Sequence, residues 1–285
     1  QKLQSRIRPD GTFPFELLYH GAHTGRFTGA GGYNMLNMPR KPIMEVDIRG
    51  MFIPRPGFIF VIPDYAQIEA RITLWYAKDW ETLDLIGQGL SVYEVHAIQT
   101  MGYTAVDTPL KERPELDSLY RLAKARILAL GFQCAAARFQ SMALNLAGIA
   151  LDMKECKDNV KDFRRTNPNI VGLWATLQQD LMTSQRKRED YHIELPSGRL
   201  LGYYKPAADV KGSTKAGRFT DGSGRRHLYG GLLTENVAQG TARDVLIDGL
   251  VRLADADFNV LWHVYDENII EVREDEHLPG WEPPK

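Results

Sequence analysis

The sequence is poor in cysteine, with only Cys134 and Cys156 among 285 residues, both in segments of helical pattern. A framework of structural disulfides is thereby excluded, and a reducing compartment is expected. Histidine is also scarce: His20 and His23 are the only closely spaced pair and have no cysteine near them, so no zinc site is expected. No run approaches the roughly 18–20 apolar residues of a membrane span. The opening QKLQSRIRPDG lacks the apolar core of a signal peptide. A soluble, cytoplasmic chain without a membrane partner is expected. There is no internal repeat, no low-complexity tract and no bulk excess of one charge, since 35 basic residues face 36 acidic ones. A methionine start is missing too, which points to a processed product or an internal fragment.

What is present is an ordinary globular composition, 44% hydrophobic and 25% charged, at a length for one large domain or two smaller ones. The near-neutral total hides an uneven distribution. Residues 1–49, 121–138 and 199–227 carry net charges of +3, +4 and +5, and such clusters are the footprint of a polyanionic partner.

Residues 20–40 are too rich in Gly and Asn for regular structure and read as a loop with side-chain donors. FIFVIPDY (58–65) reads as a buried strand that ends at Pro63-Asp64, and AQIEARITLWYA (66–77) has the apolar spacing of a helix. Residues 79–190 are helical in pattern almost throughout. Around Ser197-Gly198 a hairpin is expected, residues 205–227 read as a polar mobile loop, and 235–256 as an amphipathic helix. Residues 258–275 have strand character on both sides of Tyr265-Asp266-Glu267, as a hairpin with an acidic tip would. The fold class is α+β, a strand-based core with an inserted helical subdomain.

Asp64 and Asp266 each interrupt a strongly apolar strand segment. A carboxylate at such a place is costly without a cation or donor, and two brought together would repel unless a divalent metal bound them through oxygen. Capping of a helix or turn is the other reading of each.

Asp64-Tyr65-Ala66-Gln67-Ile68-Glu69-Ala70-Arg71 is similar to DYSQIELR, the first catalytic motif of the A family of DNA polymerases, and Tyr265-Asp266-Glu267 resembles that family's last motif, usually His-Asp-Glu. Thr24-Gly25-Arg26 with Asn34-Met35-Leu36-Asn37-Met38-Pro39-Arg40 resembles its TGR…NLQNIP segment, and Asn236 to Ala242 its NxxQGTA segment. All four stand in the family's order, and the hairpin IELPSGRLLGY (193–203) is typical of phage-type members.

The resemblance implies a right-hand palm in two parts, residues 1–77 and 223–285, with fingers at 78–222. It implies template-directed addition of dNTPs to a primer 3′-hydroxyl in replication of a phage genome, in the host cytoplasm, with primer–template DNA as partner. Asp64, Asp266 and the carbonyl of Tyr65 would hold two Mg²⁺ ions, which Mn²⁺ could replace, with Glu267 in support. Lys124 and Arg121 would meet the triphosphate, Phe132 the base and sugar, and Gln67 and Glu69 the nucleotide, Glu69 as the gate against a 2′-hydroxyl. Lys124 and Phe132, eight residues apart, would stand two turns apart on one face of a helix. Arg26, Asn37, Arg40, Asn236, Gln239 and Tyr265 would contact DNA, with Tyr265 bonding the primer terminus. The family's thumb and 3′–5′ exonuclease have no counterpart in this sequence, so a separate chain or a removed segment is expected to supply them. The competing expectation is a catalytically inactive, polymerase-like DNA-binding subunit.

Overall fold

The computed structural model describes residues 4–39, 42–105, 107–208, 217–220 and 225–275. In chain order the elements are β1 (Glu16–Leu18), β2 (Thr28–Ala30), β3 (Phe58–Val61), α1 (Ile68–Tyr76), α2 (Trp80–Gly87), α3 (Val92–Thr100), α4 (Asp117–Ala125), α5 (Ala136–Ala147), α6 (Met153–Thr166), α7 (Pro168–Lys187), β4 (Tyr191–Glu194), β5 (Leu200–Ala208), β6 (Gly217–Thr220), β7 (Arg225–Leu228), α8 (Gly230–Asp255), β8 (Asn259–Val264) and β9 (Glu267–Arg273). Two compact units result, Gln1–Ala66 with Ala242–Lys285, and Gln67–Thr241. The mixed architecture is the α+β class expected. Among the described residues no helix is long and apolar enough to cross a membrane.

In the first unit β3, β9 and β8 form an antiparallel sheet in that order. Ile269, Ile270 and Val272 of β9 are buried, so this strand is the apolar centre on which both neighbours pair. Regular pairing of β3 stops before Pro63, which has no N–H, but the Pro63 carbonyl still accepts from Asn268 N at 3.0 Å. The chain therefore stays alongside β9 for the residues that matter most. Glu271 is also buried on β9. Burial alone would raise its pKa, but the Arg55 backbone N–H at 2.9 Å, the Arg55 guanidinium at 2.6 and 2.8 Å, and Asn259 outweigh this and hold it below the usual carboxylate range.

The second unit has a helical core around Leu130, Phe139, Cys156, Phe163 and Trp174, and a four-stranded antiparallel sheet β4-β5-β6-β7. The expected mobile loop at 205–227 is corrected here. Its described residues extend β5 to Ala208 and supply β6 and β7. A polar, Gly-rich run gives no alternation to read, yet its backbone pairs once β5 offers an edge. Similarly, β2 lies within the expected 20–40 loop and pairs with β1.

The helix expected from 235 begins earlier, at Gly230, because Gln178 Oε1 and Gln133 Oε1 accept the Gly230 and Gly231 N–H groups, each at 2.9 Å. These caps come from distant residues and leave no local signature. A Cβ on Gly230 would stand 2.0 Å from the Trp174 carbonyl oxygen. Gly230→Ala should therefore cost about 3 kcal/mol in urea unfolding. A loss below about 1 kcal/mol would show that the contact is not limiting.

After α4 the chain enters a π-helical turn, Arg126–Leu130, and then a turn at 131–133. The expected continuous α-helix from Lys124 to Phe132 is thus interrupted, and the relative direction of the two side chains is set by this turn.

Candidate active site

Asp64 and Asp266 lie in the same unit and meet through the backbone. Asp64 forms an isolated antiparallel bridge with Glu267, and Tyr65 N–H donates to the Asp266 carbonyl at 3.3 Å. Asp64 is exposed, whereas Asp266 and Glu267 are half-buried. Burial, then the nearby Asp64 and Glu267, push the Asp266 carboxyl above its ordinary range, with Arg26 only partly opposing. Desolvation and neighbouring negative charge both disfavour the ionised form of Asp266, and Arg26 offsets only part of this. The Tyr65 side chain reaches α8 where Gly249 leaves room, since a Cβ there would stand 2.3 Å from the phenol oxygen.

The turn between β8 and β9 has two residues, and Tyr265 takes a left-handed backbone with φ 56°. Arg26 stacks over its ring, with Cζ 4.6 Å from the centroid, and its hydroxyl donates to Asn37 Oδ1. The loop bearing Arg26 is itself held by Arg243. This buried residue donates from Nε to the Gly25 carbonyl at 3.0 Å, pairs with Asp244 at 3.1 Å and lies over the Tyr19 ring. Sequence reading missed Arg243, which directly follows Ala242 at the end of the NxxQGTA segment. His263 is buried against Phe27, and burial with Arg243 nearby pushes its pKa down to about 4, keeping it neutral.

In the second unit Glu69 and Phe132 line one small cavity of about 30 Å³ together with Thr73, Val92, Leu128 and Ile170. Phe132 is set by its neighbours: the Gly131 carbonyl accepts from the Trp174 indole at 2.9 Å, and Gln133 caps α8. Gly231 permits this approach, because a Cβ there would stand 2.4 Å from the Phe132 carbonyl oxygen. Gln67 has φ 55°, and its Oε1 accepts from Val92 N at 2.8 Å, so its side chain caps α3. Lys124 is half-buried near the end of α4. Arg121 pairs with Asp117 at 2.7 Å and donates to the Ala147 carbonyl at 3.2 Å. On α8, Asn236 donates to the Tyr203 hydroxyl at 2.8 Å and Gln239 to Glu235 at 3.2 Å. Arg40 lies outside the described residues.

Among the described residues no group of three or more His, Cys, Asp or Glu side chains is arranged to hold a metal ion. Two carboxylates with a main-chain carbonyl are nevertheless a hard-oxygen set of the kind Mg²⁺ uses, since that ion keeps water and substrate phosphate as its other ligands. The raised pKa of Asp266 is the electrostatic demand such a cation would meet.

No protein-family model matches the chain. It is 29% identical to the DNA polymerase of Bacillus phage SP02, over 95% of this chain and 48% of that protein. It is 26% identical to DNA polymerase I of Pseudomonas aeruginosa, over 96% of this chain and 27% of the relative. Among solved structures, the POL domain of Pol1 from M. smegmatis, in complex with DNA primer-template and dNTP, superposes with a TM-score of 0.66 at 19% identity. That match covers 96% of this chain and 44% of the other. The chain thus spans less than half the length of these relatives.

Proposed function

From a chain that is DNA polymerase I-like, a family A sequence over the palm and fingers region, we propose that it catalyses template-directed addition of deoxynucleotides to a primer 3′-hydroxyl. The observation that carries this reading is the juxtaposition of Asp64 and Asp266 by the Asp64–Glu267 bridge and the Tyr65–Asp266 hydrogen bond. The first compact unit is the palm and the helical part of the second is the fingers.

Asp64, Asp266 and the Tyr65 carbonyl are the groups that would hold Mg²⁺. When bound, the ions supply charge neutralisation for the attacking hydroxyl and the triphosphate. Glu69 excludes a 2′-hydroxyl, and Phe132 receives the base and sugar beside it. Lys124, an ammonium with three donors, offsets charge on the outer phosphates and can give a proton to the leaving pyrophosphate. Arg121 is a phosphate ligand once it exchanges Asp117 for substrate. Gln67 acts indirectly, by fixing the α1 and α3 termini at the nucleotide site. Arg26, Asn37, Arg40, Asn236 and Gln239 contact the primer–template, giving affinity that falls as salt rises. The phage relative favours genome replication in a host cytoplasm as the setting.

The test is extension of a recessed DNA primer with dNTPs and Mg²⁺. Templated product is the expected result. DNA binding without extension, even after addition of a thumb-bearing partner, would assign the chain to the inactive binding-subunit reading.

A further inference from the structure

Helix α6 carries a charge pattern to which nothing above gives a role. It has five basic residues against three acidic ones. Lys154, Lys157, Lys161 and Arg164 follow one another at spacings of three, four and three residues, which sets all four on one face of the helix, and each is exposed. Cys156 and Phe163 are buried and anchor the opposite side in the helical core. Of the acids, Glu155 is occupied in the capping box with Asp152, and Asp162 bonds Arg126 and Arg165. Among the described residues none of the four cations in the row has an ion-pair partner. Like charges in a file repel one another, and a polyanion laid along them removes that cost.

Two contacts place the row relative to the nucleotide residues of the same unit. Asp162 ties α6 to the π-helical turn between Lys124 and Phe132, through the buried Arg126 guanidinium at 2.7 Å. Arg164, the last cation of the row, and Arg138 of α5 both stand near Cys134, two residues beyond Phe132. Burial pushes the Cys134 thiol up, and these two cations oppose it, Arg138 more than Arg164. The row therefore starts beside the turn that bears Phe132 and runs outward to Lys154, about 15 Å along the helix axis.

Four charges in a line fit a sugar–phosphate backbone, and they carry nothing that reads a base. A stacked strand presents about four phosphates over that length. The file is one side chain wide, which matches one backbone and not the two that border a groove. Resting on the polymerase reading above, we infer that the outer face of α6 binds the unpaired template strand ahead of the primer terminus, with successive phosphates along Arg164, Lys161, Lys157 and Lys154. Contact there is independent of sequence. It adds grip on the template and takes no part in the chemistry at Asp64 and Asp266.

The experiment measures binding of the full chain to two primer–template duplexes by fluorescence anisotropy over a range of salt, one with a template overhang of about two nucleotides and one of about ten. The long overhang should bind more tightly at low salt, and its log K should fall with log salt more steeply by about 3, the increment for four single-strand phosphates. Lys154→Gln/Lys157→Gln/Lys161→Gln/Arg164→Gln should lose that increment and bind the short overhang as the intact chain does. Each half, Lys154→Gln/Lys157→Gln or Lys161→Gln/Arg164→Gln, should lose about half of it, which gives the same readout should the fourfold variant fold poorly. Equal slopes for the two overhangs in the intact chain, an increment that survives the substitutions, or an equal loss on both duplexes would overturn the inference. So would substitutions that abolish binding of a polyglutamate peptide and spare the overhang, because α6 would then be a site for acidic polypeptide. If the intact chain binds neither duplex and extends neither primer, the polymerase reading fails. A single-stranded oligonucleotide then decides α6 alone: a salt slope that drops with the four substitutions supports the site, and an unchanged slope refutes it.

Discussion

Replacing Asp266 by Asn is expected to reduce primer extension at least a thousandfold while making the protein more stable. The loss follows from the charge that the carboxylate pair contributes to metal binding, worth several kcal/mol in the transition state. The gain follows from the same geometry. Burial, Asp64 and Glu267 raise the Asp266 pKa in the folded chain, so the folded state holds this proton more tightly than the unfolded one. For an acid shifted upward, stability falls as pH rises from the unfolded value, about 3.9, through the raised folded value, and stays reduced at neutral pH. Asparagine removes that cost. The melting temperature without divalent cations should therefore rise. The difference between the two proteins should close below about pH 4, where Asp266 is protonated. Added Mg²⁺ should raise the melting temperature of the natural sequence more than that of the variant. A variant that melts lower at neutral pH, or that retains a tenth of the extension rate, would contradict this account.

Glu69→Ala should shift sugar selectivity. Glu69 and Phe132 bound one small cavity of about 30 Å³. A nucleotide sugar packed against Glu69 would have no space for an extra oxygen while the glutamate remains. Shortening it to alanine opens that space, and the ratio of kcat/KM for a ribonucleotide to that for the matching deoxynucleotide should rise about 100-fold. Incorporation of the deoxynucleotide should change far less. An unaltered ratio would leave Glu69 as a helix residue of α1 with no role in discrimination.

The parts of the fold that were legible in the sequence are those in which local pattern and tertiary use agree. Phe58–Val61 is apolar and ends before a proline, so both its existence and its stop were readable. The hairpin of β8 and β9 was readable for the same reason, since apolar runs flank a polar pair. The acidic pair followed once both ends were placed. Other features depend on partners remote in sequence. The caps of α8 come from Gln133 and Gln178, and Asn37 is 228 residues from the hydroxyl that orients it. Arg-Ile-Leu-Ala-Leu is a good helix-forming run, so nothing local announces that residues 126–130 adopt π geometry. The strands β6 and β7 are invisible to an apolar alternation rule, because their pairing rests on the backbone edge that β5 provides. Gln67 was read as a nucleotide ligand from its motif, whereas its side chain bonds a helix terminus that spacing alone does not reveal.

The π-helical turn has a bearing on ancestry. Each hydrogen bond of such a turn spans one more residue than in an α-helix, so the turn can be gained by a single-codon insertion in an α-helical ancestor and lost by the corresponding deletion. Residue counts between Lys124 and Phe132 are then not comparable with those of a descendant lineage that kept the uninterrupted helix. An alignment that forbids gaps there would match the wrong side chains, and an aromatic missing at one position could be standing one place further along.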